Sequence, residues 1–458
     1  MSVLAPEIAI AREAMPLGIA GRAASVRGMT VLVDDLPCPI GALVSMKTLE
    51  GARLGEVVGF TRDHSVVMPL ERTLGVRPGD TIELVSARQT AMVGRRLVGR
   101  VINGLGEPID GKGPITERVA RPLNPEPIPA LARPPIREPL RTGVRVIDLM
   151  TPLGRGQRVG VFAGPGVGKS TLMASVARNT EARVNVIALV GERGREVAGF
   201  IEDALGEEGL KRSVVVVATG DESPPMRLRA ARLACCAAEH FRNDGLDVML
   251  MMDSVTRFAH AQRQIGLSVG EPPATKGYTP SVFAELPLLL ERAGLAAGAG
   301  SITGLYTILV EGDHMTEPIA DAARGILDGH IALSRKLAQR AHYPAVDVLG
   351  SVSRVADEIS DAHERSSRRQ LMRLLGRHAE VEDLVRIGAY ARGADPESDV
   401  AVEYKDAIDR LIQQGGKERS KYDADRSALI KLAMETGEQI QARTKAKAAQ
   451  QAGGARKG

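Results

Sequence analysis

Residues 158–172 read Arg-Val-Gly-Val-Phe-Ala-Gly-Pro-Gly-Val-Gly-Lys-Ser-Thr-Leu, and they constrain the fold more than any other stretch. The apolar run 159–162 reads as a buried strand. It breaks into a glycine-rich turn and then into a helix-like run from Thr171. Strand, glycine turn and helix in that order make the setting of a phosphate-binding loop. Glycine tolerates φ > 0 and lets backbone N–H groups close on an anion, and the helix N-terminus adds its own unpaired N–H groups. Lys169 is then placed to reach the β- and γ-phosphates of a nucleotide, and the Ser170 hydroxyl to ligate Mg²⁺. The candidate nucleotide-binding set is Gly164, Pro165, Gly166, Val167, Gly168, Lys169, Ser170 and Thr171. The general pattern G-x-x-x-x-G-K-[ST] asks for Gly at 163, where this chain has Ala163.

The chain is long enough, at 458 residues, for two or three domains. Lys and Arg exceed Asp and Glu by 60 to 56, so the charge balance does not indicate a nucleic-acid partner. Trp is absent and aromatics are 3%, which argues against a base-stacking nucleic-acid platform. Three cysteines, Cys38, Cys235 and Cys236, give no disulfide framework, which suits a reducing cytoplasm. No apolar run approaches the roughly 18 residues of a membrane span, and no signal-peptide pattern opens the chain.

Read in order, residues 1–20 form an N-terminal segment with a short apolar-periodic piece, suited to a frayed helix, a partner-binding segment or a disordered terminus. Residues 21–93 alternate short apolar runs (29–33, 55–60, 80–85) with Gly, Pro and Asp turns, predicting a small β-barrel. Residues 94–141 are a Gly- and Pro-rich connection, with seven prolines between 122 and 139 suited to an extended wrap. Residues 142–355 alternate strand-like runs (184–190, 214–218, 247–252, 306–310) with helical ones (226–243, 255–265), predicting an α/β core with a parallel sheet covered on both faces. Residues 356–442 read as a C-terminal helical domain, with helices over 365–388, 400–414 and 417–441 and a Gly415-Gly416 stop. Residues 443–458, with five basic and no acidic side chains, read as a basic disordered tail.

Nucleotide hydrolysis needs more than the loop. It needs a magnesium anchor, a residue that orients water, charge neutralisation at the γ-phosphate and a surface for the base. The run 248–252 ends in Asp253, which a buried strand would place beside the loop to hold the Mg²⁺ shell. The run 187–190 leads in the same way to Glu192, able to accept a hydrogen bond from attacking water. The alternative there is a surface salt-bridge cluster of Glu192, Arg193, Arg195 and Glu196. Arg354 could be supplied to a neighbouring subunit's γ-phosphate. Tyr343, before Pro344, could stack on adenine or pack in a core. The eight histidines show no metal spacing, the cysteines form no C-x-x-C, and no G-x-S-x-G nucleophile elbow occurs.

These motifs together resemble the catalytic subunits of rotary-type ATPases, and most closely the flagellar and type III protein-export ATPases. The resemblance covers 21–396. It is carried by Leu97-Val-Gly-Arg-Val-Ile-Asn-Gly-Leu-Gly-Glu-Pro-Ile-Asp-Gly111, Thr142-Gly-Val-Arg-Val-Ile-Asp148, the phosphate loop, Gly191-Glu-Arg-Gly-Arg-Glu-Val197, Asp221-Glu-Ser-Pro224, Gly270-Glu-Pro-Pro-Ala-Thr-Lys-Gly-Tyr278, Ile326-Leu-Asp-Gly-His-Ile331 and Tyr343-Pro-Ala-Val-Asp347. Ala163 is usual for the export branch. The resemblance implies a P-loop NTPase core with a RecA-like parallel sheet, and Mg-ATP held between subunits of a homohexameric ring. It implies Lys169, the catalytic Glu192, the adjacent Arg193 and the arginine finger Arg354 as catalytic residues. Ser170 and Asp253 would serve Mg²⁺ and Tyr343 the adenine. It further implies a cytoplasmic ATPase, peripheral at the inner face of the membrane, that energises flagellar-type export or, alternatively, an injectisome. Its partners would be a stator-like regulator near the N-terminus, a stalk protein in the ring's pore, an export gate, chaperones and export substrates. A non-catalytic ring subunit would lack Glu192. A hexameric RNA translocase would want stacking aromatics where residues 21–93 hold only Phe60.

Overall fold

The short alternating runs of the N-terminal region form six antiparallel strands: β1 (Ala20–Arg27), β2 (Thr30–Asp34), β3 (Leu43–Thr48), β4 (Gly51–Phe60), β5 (Ser65–Pro69) and β6 (Thr81–Ser86). In this computed structural model, which describes residues 18–71, 75–310 and 317–454, they close into a barrel of order β1-β2-β5-β4-β3-β6. Closure leaves no exposed sheet edge. Val31, Val33, Val44, Met46, Val57, Val67 and Ile82 fill the interior. Cys38 lies in the same core, where burial raises its thiol pKa. Gly21 is required at the β1–β2 contact, because a Cβ there would sit 2.3 Å from the Asp34 carbonyl oxygen. The segment 1–17, and with it the expectation of a partner-binding N-terminus, lies outside the described residues.

The barrel ends at Ser86. Thr90–Val93 (β7), expected as part of it, instead pairs with Val119–Pro122 (β9). The connection contributes a further strand, Val101–Asn103 (β8), to the central sheet. Beyond it the proline-rich stretch holds one 3-10 turn, Ala130–Ala132, and a two-residue pairing of Pro139–Leu140 (β10) with Leu153–Gly154 (β11). Arg133 pins this wrap to the core by donating to the carbonyls of Ile128 (3.4 Å), Ala293 (3.4 Å) and Glu291 (2.9 Å).

The central strands are Arg158–Ala163 (β12), Val184–Val190 (β13), Ser213–Ala218 (β14), Asp247–Asp253 (β15), Gly294–Leu295 (β16), Ser301–Leu309 (β17), Gly329–Leu333 (β18) and Val346–Ser353 (β19). Their order is β19-β18-β12-β17-β15-β13-β14-β8, with β16 on β17. Every neighbour from β18 to β8 is parallel, while β19 is an antiparallel edge. Both faces are covered, so these strands are almost continuously apolar. Along β13, Val186, Ala188 and Val190 pack into one core with helix Pro224–Asn243, while Ile187 and Leu189 pack into the other with helix Lys169–Asn179.

The C-terminal region is helical: Ala362–Arg386, Pro396–Ile412 and Tyr422–Gly454. Asp361 and Glu364 form a reciprocal capping box at the first helix. The third helix runs through Gly454 and so corrects the expected disordered tail from 443. Its Ala, Gln and Lys residues are strong helix formers that need no buried face. Residues 455–458 lie outside the described residues. Among those described, no helix is long and apolar enough to cross a membrane.

Candidate active site

Ala163 is the last residue of β12, fully buried and paired with Leu309. This position is still ordinary strand, so a Cβ fits where the general pattern has glycine. The turn that follows needs its glycines: Gly166 has φ 76° and Gly168 φ 98°. Gly168 caps the helix Lys169–Asn179, whose first N–H groups lack intrahelical partners. Ser170 and Thr171 are exposed at its first turn. Backbone donors and a dipole end thus gather at the helix start, with two exposed hydroxyl side chains beside them.

Parallel register brings the other groups to the same edge. Leu189 of β13 pairs with Asp253 of β15, so both strands end beside the loop. The Lys169 Nζ donates to Asp253 Oδ1 at 2.5 Å and lies 3.6 Å from Glu192 Oε1. Thr307 Oγ1, on the neighbouring β17, donates to Asp253 Oδ1 at 2.7 Å and fixes that carboxylate. Glu192 is 8% exposed, and its Oε1 has no hydrogen-bond partner. Burial raises its pKa above the ordinary glutamate value. The Asp253 charge and Glu196 push the same way, while Lys169 and Arg257 oppose.

Arg193 faces elsewhere: its side chain is 80% exposed and pairs with Glu196 at 3.5 Å. The surface-cluster alternative therefore describes Arg193 and Glu196 but not Glu192, which turns inward. Sequence reasoning missed Arg257. It stands four residues after Asp253, on the helix Val255–Ser268, and packs so closely on Gly191 that a Cβ there would lie 2.8 Å from the Arg257 Cβ. Its buried Nε has no hydrogen-bond partner. The signal available was its spacing from the Asp253 strand end.

Beside the loop a cavity of about 460 Å³ runs from Gly166–Gly168 to Tyr343, Pro344 and the 414–416 segment. Tyr343 is 48% exposed, with its hydroxyl donated to Ala338 O at 3.2 Å, so its ring presents a face for stacking. Gln414, Gly415 and Gly416 come from the C-terminal domain. The sequence marked the glycine pair as a helix stop but gave no sign that the stop lines this cavity.

Arg354 is not with the others. It follows β19, whose end Ser353 pairs with Gly329 at the start of β18, whereas Val346 pairs with Leu333 at the loop end. About 25 Å of strand separates Arg354 from the loop edge of its own subunit. Its exposed guanidinium donates to Arg324 O at 3.2 Å.

The donor set suits Mg²⁺: the exposed Ser170 hydroxyl and the Asp253 carboxylate are hard oxygens, and Lys169 already stands as a cation against that carboxylate. Among the described residues no cluster of three His, Cys, Asp or Glu forms a dedicated metal cage.

Comparison with known proteins agrees with this geometry. Residues 143–353 match the ATP synthase alpha/beta family, nucleotide-binding domain, and residues 360–431 match the T3SS EscN ATPase C-terminal domain. The flagellum-specific ATP synthase of Treponema pallidum is 48% identical over 437 residues, covering 94% of this chain and 96% of that protein. The type 3 secretion system ATPase of Xanthomonas euvesicatoria is 45% identical over 422 residues, covering 91% and 95%. The structure of the assembled ATPase EscN from the enteropathogenic E. coli type III secretion system superposes with a TM-score of 0.84 at 39% identity, covering 90% of this chain and 100% of that one. EscN in complex with its central stalk EscO gives 0.83 at 39%, with the same coverage. With family models over the core and the C-terminal helices and 90% of the chain superposing on the assembled EscN structure, this chain belongs to the ATP synthase alpha/beta family, among its flagellar and type III export ATPases.

Proposed function

We propose that this chain hydrolyses ATP to energise flagellar-type protein export, with each ATP held between neighbouring copies in a homohexameric ring. One arrangement carries the reading: the Lys169 ammonium stands at the mouth of the phosphate loop, braced between the Asp253 and Glu192 carboxylates. A bound triphosphate offers that ammonium a stronger partner. The loop N–H groups and Lys169 bind the β- and γ-phosphates. Glu192, with an unpaired buried oxygen, accepts a hydrogen bond from the attacking water and orients it. Arg257 supplies positive charge near Glu192, while Arg193, which the resemblance made catalytic, stays paired with Glu196 at the surface. Mg²⁺, held by Ser170 and Asp253, would neutralise charge between the β- and γ-oxygens when bound. Tyr343 stacks on the base.

Arg354 completes a neighbour's site. It stands at the sheet end away from its own phosphate loop, so only a second subunit can receive it. The assembled EscN supports the ring, and its complex with EscO supports a stalk partner in the pore. The flagellar branch is preferred because the flagellum-specific relative reaches 48% identity and the secretion ATPase 45%. Export gate, chaperones, export substrates, a stator-like regulator and a peripheral place at the cytoplasmic membrane belong to the same reading.

The test is steady-state Mg-ATP hydrolysis by the purified chain against its own concentration, beside Glu192→Gln. Turnover per subunit should climb as rings assemble, and Glu192→Gln should bind ATP without releasing phosphate. Concentration-independent turnover would remove the shared site, and an active Glu192→Gln would remove the water-orienting role.

A further inference from the structure

The connection between the helices Pro396–Ile412 and Tyr422–Gly454 lies against the cavity beside the phosphate loop, and it is fastened unusually heavily for a surface link. Gln414, only 6% exposed, donates its backbone N–H to Tyr343 O at 2.9 Å. Its side chain accepts from the Arg145 N–H at 2.7 Å and donates to Gly143 O at 2.9 Å and Glu418 O at 2.8 Å. Arg145 donates Nη1 to Gln413 O at 2.7 Å and Nη2 to Glu418 Oε1 at 2.6 Å, and its Nε lies 2.9 Å from Asp425 Oδ1. Glu418 in turn accepts the Gly415 N–H at 2.9 Å. From the phosphate-loop helix, Arg178 donates to Gly416 O at 2.5 Å. The part of the cavity wall that this connection supplies thus includes Gly415 and Gly416, which have no side chains of their own to hold it.

We propose that Arg145 and Gln414 are positioning residues that set this wall, so that the grip on the nucleotide's base depends on them while the phosphate chemistry does not. The proposal rests on reading the cavity as the base pocket of an ATPase. Neither side chain is free to contact the ligand: Arg145 spends its guanidinium on Gln413, Glu418 and Asp425, and Gln414 spends both amide atoms on backbone. Gly415 and Gly416 line the cavity together with Tyr343, and the two clamps supply the rigidity that side chains would otherwise give. Arg145 serves here because its planar fork donates to the Gln413 carbonyl and the Glu418 carboxylate in one fixed geometry. Its charge also faces Asp425, whereas an ammonium is a point charge without that fork.

The test compares Arg145→Ala in the full chain with wild type, using ATP and inorganic tripolyphosphate, which has phosphates but no base. KM for ATP should rise about 10-fold or more, the loss expected when charge-assisted hydrogen bonds are removed, with kcat within about threefold. The inhibition constant of tripolyphosphate should stay within about twofold. Arg145→Lys should fall between. An unchanged KM for ATP would overturn the proposal, and so would a tripolyphosphate constant that weakens in parallel with ATP. Should Arg145→Ala not fold, Glu418→Gln removes one clamp at equal size and should show the same split at smaller amplitude; no split there overturns the proposal too. A wild-type chain that binds ATP without hydrolysing it would defeat the ATPase reading alone, since titration with ATP and with tripolyphosphate still decides the role of Arg145.

Discussion

Glu192 is buried against Lys169, yet the proposed mechanism needs it ionised to orient water. Its raised pKa, caused first by burial, places the acid limb of kcat/KM, which reports the free enzyme, above the ordinary carboxylate value of 4.5. A pH profile of kcat/KM for Mg-ATP should fall as pH drops through that limb, and a limb at or below 4.5 would contradict the assignment. Lys169→Ala removes both the phosphate contact and the cation that steadies Glu192, so turnover should drop about 100-fold or more. His260 gives a separate stability test. Its ring nitrogen hydrogen-bonds the Tyr278 hydroxyl at 3.0 Å, and burial beside Arg263, Arg257 and Arg227 lowers its pKa from 6.5 to about 4, with Glu317 opposing. Unfolding therefore takes up a proton below 6.5, and stability present at neutral pH is lost as pH falls toward 4. Thermal melts of His260→Gln at pH 7 and pH 5 should show an acid loss smaller than wild type by about 1–2 kcal/mol. An equal loss would discount His260. At this scale the phosphate loop was legible because its glycines, lysine and serine are fixed in spacing. The opposite facing of Glu192 and Arg193 was not, since adjacent residues at a strand exit do not declare which one turns inward.

The long strands of the core declared themselves by continuous apolar runs, and the helices 226–243 and 255–265 by long stretches that mix apolar with charged residues. Short elements did not. Three residues, Val101–Asn103, make an edge strand inside a glycine-dense stretch whose composition reads as turn. The proline-rich wrap was legible as extended, but its anchor, Arg133, was one arginine among many. Arg133→Ala loses three hydrogen bonds from a charged donor and should destabilise the fold by roughly 1–3 kcal/mol, seen as a lower Tm. An unchanged Tm would mean that the wrap holds without it. The last helix outran its expected end because Ala, Gln and Lys suit a solvated helix as well as a coil.

For the whole molecule, sheet polarity decides where the site must be. Lys169, Glu192 and Asp253 gather at the carboxyl ends of parallel strands, while the antiparallel turn of β19 carries Arg354 to the other end. The family resemblance assigned Arg354 to a neighbour, and the single-chain geometry supports that assignment by excluding its own loop. Arg354→Ala should keep nucleotide binding and lose about 10³–10⁵-fold in turnover. The most direct measurement mixes Glu192→Gln with Arg354→Ala, each inactive alone, under conditions where rings assemble, and follows phosphate release. At some interfaces the intact Glu192 of one variant then meets the intact Arg354 of the other. With random mixing, activity should return to about a quarter of wild type. A mixture no more active than its separate components would contradict a catalytic site shared between subunits.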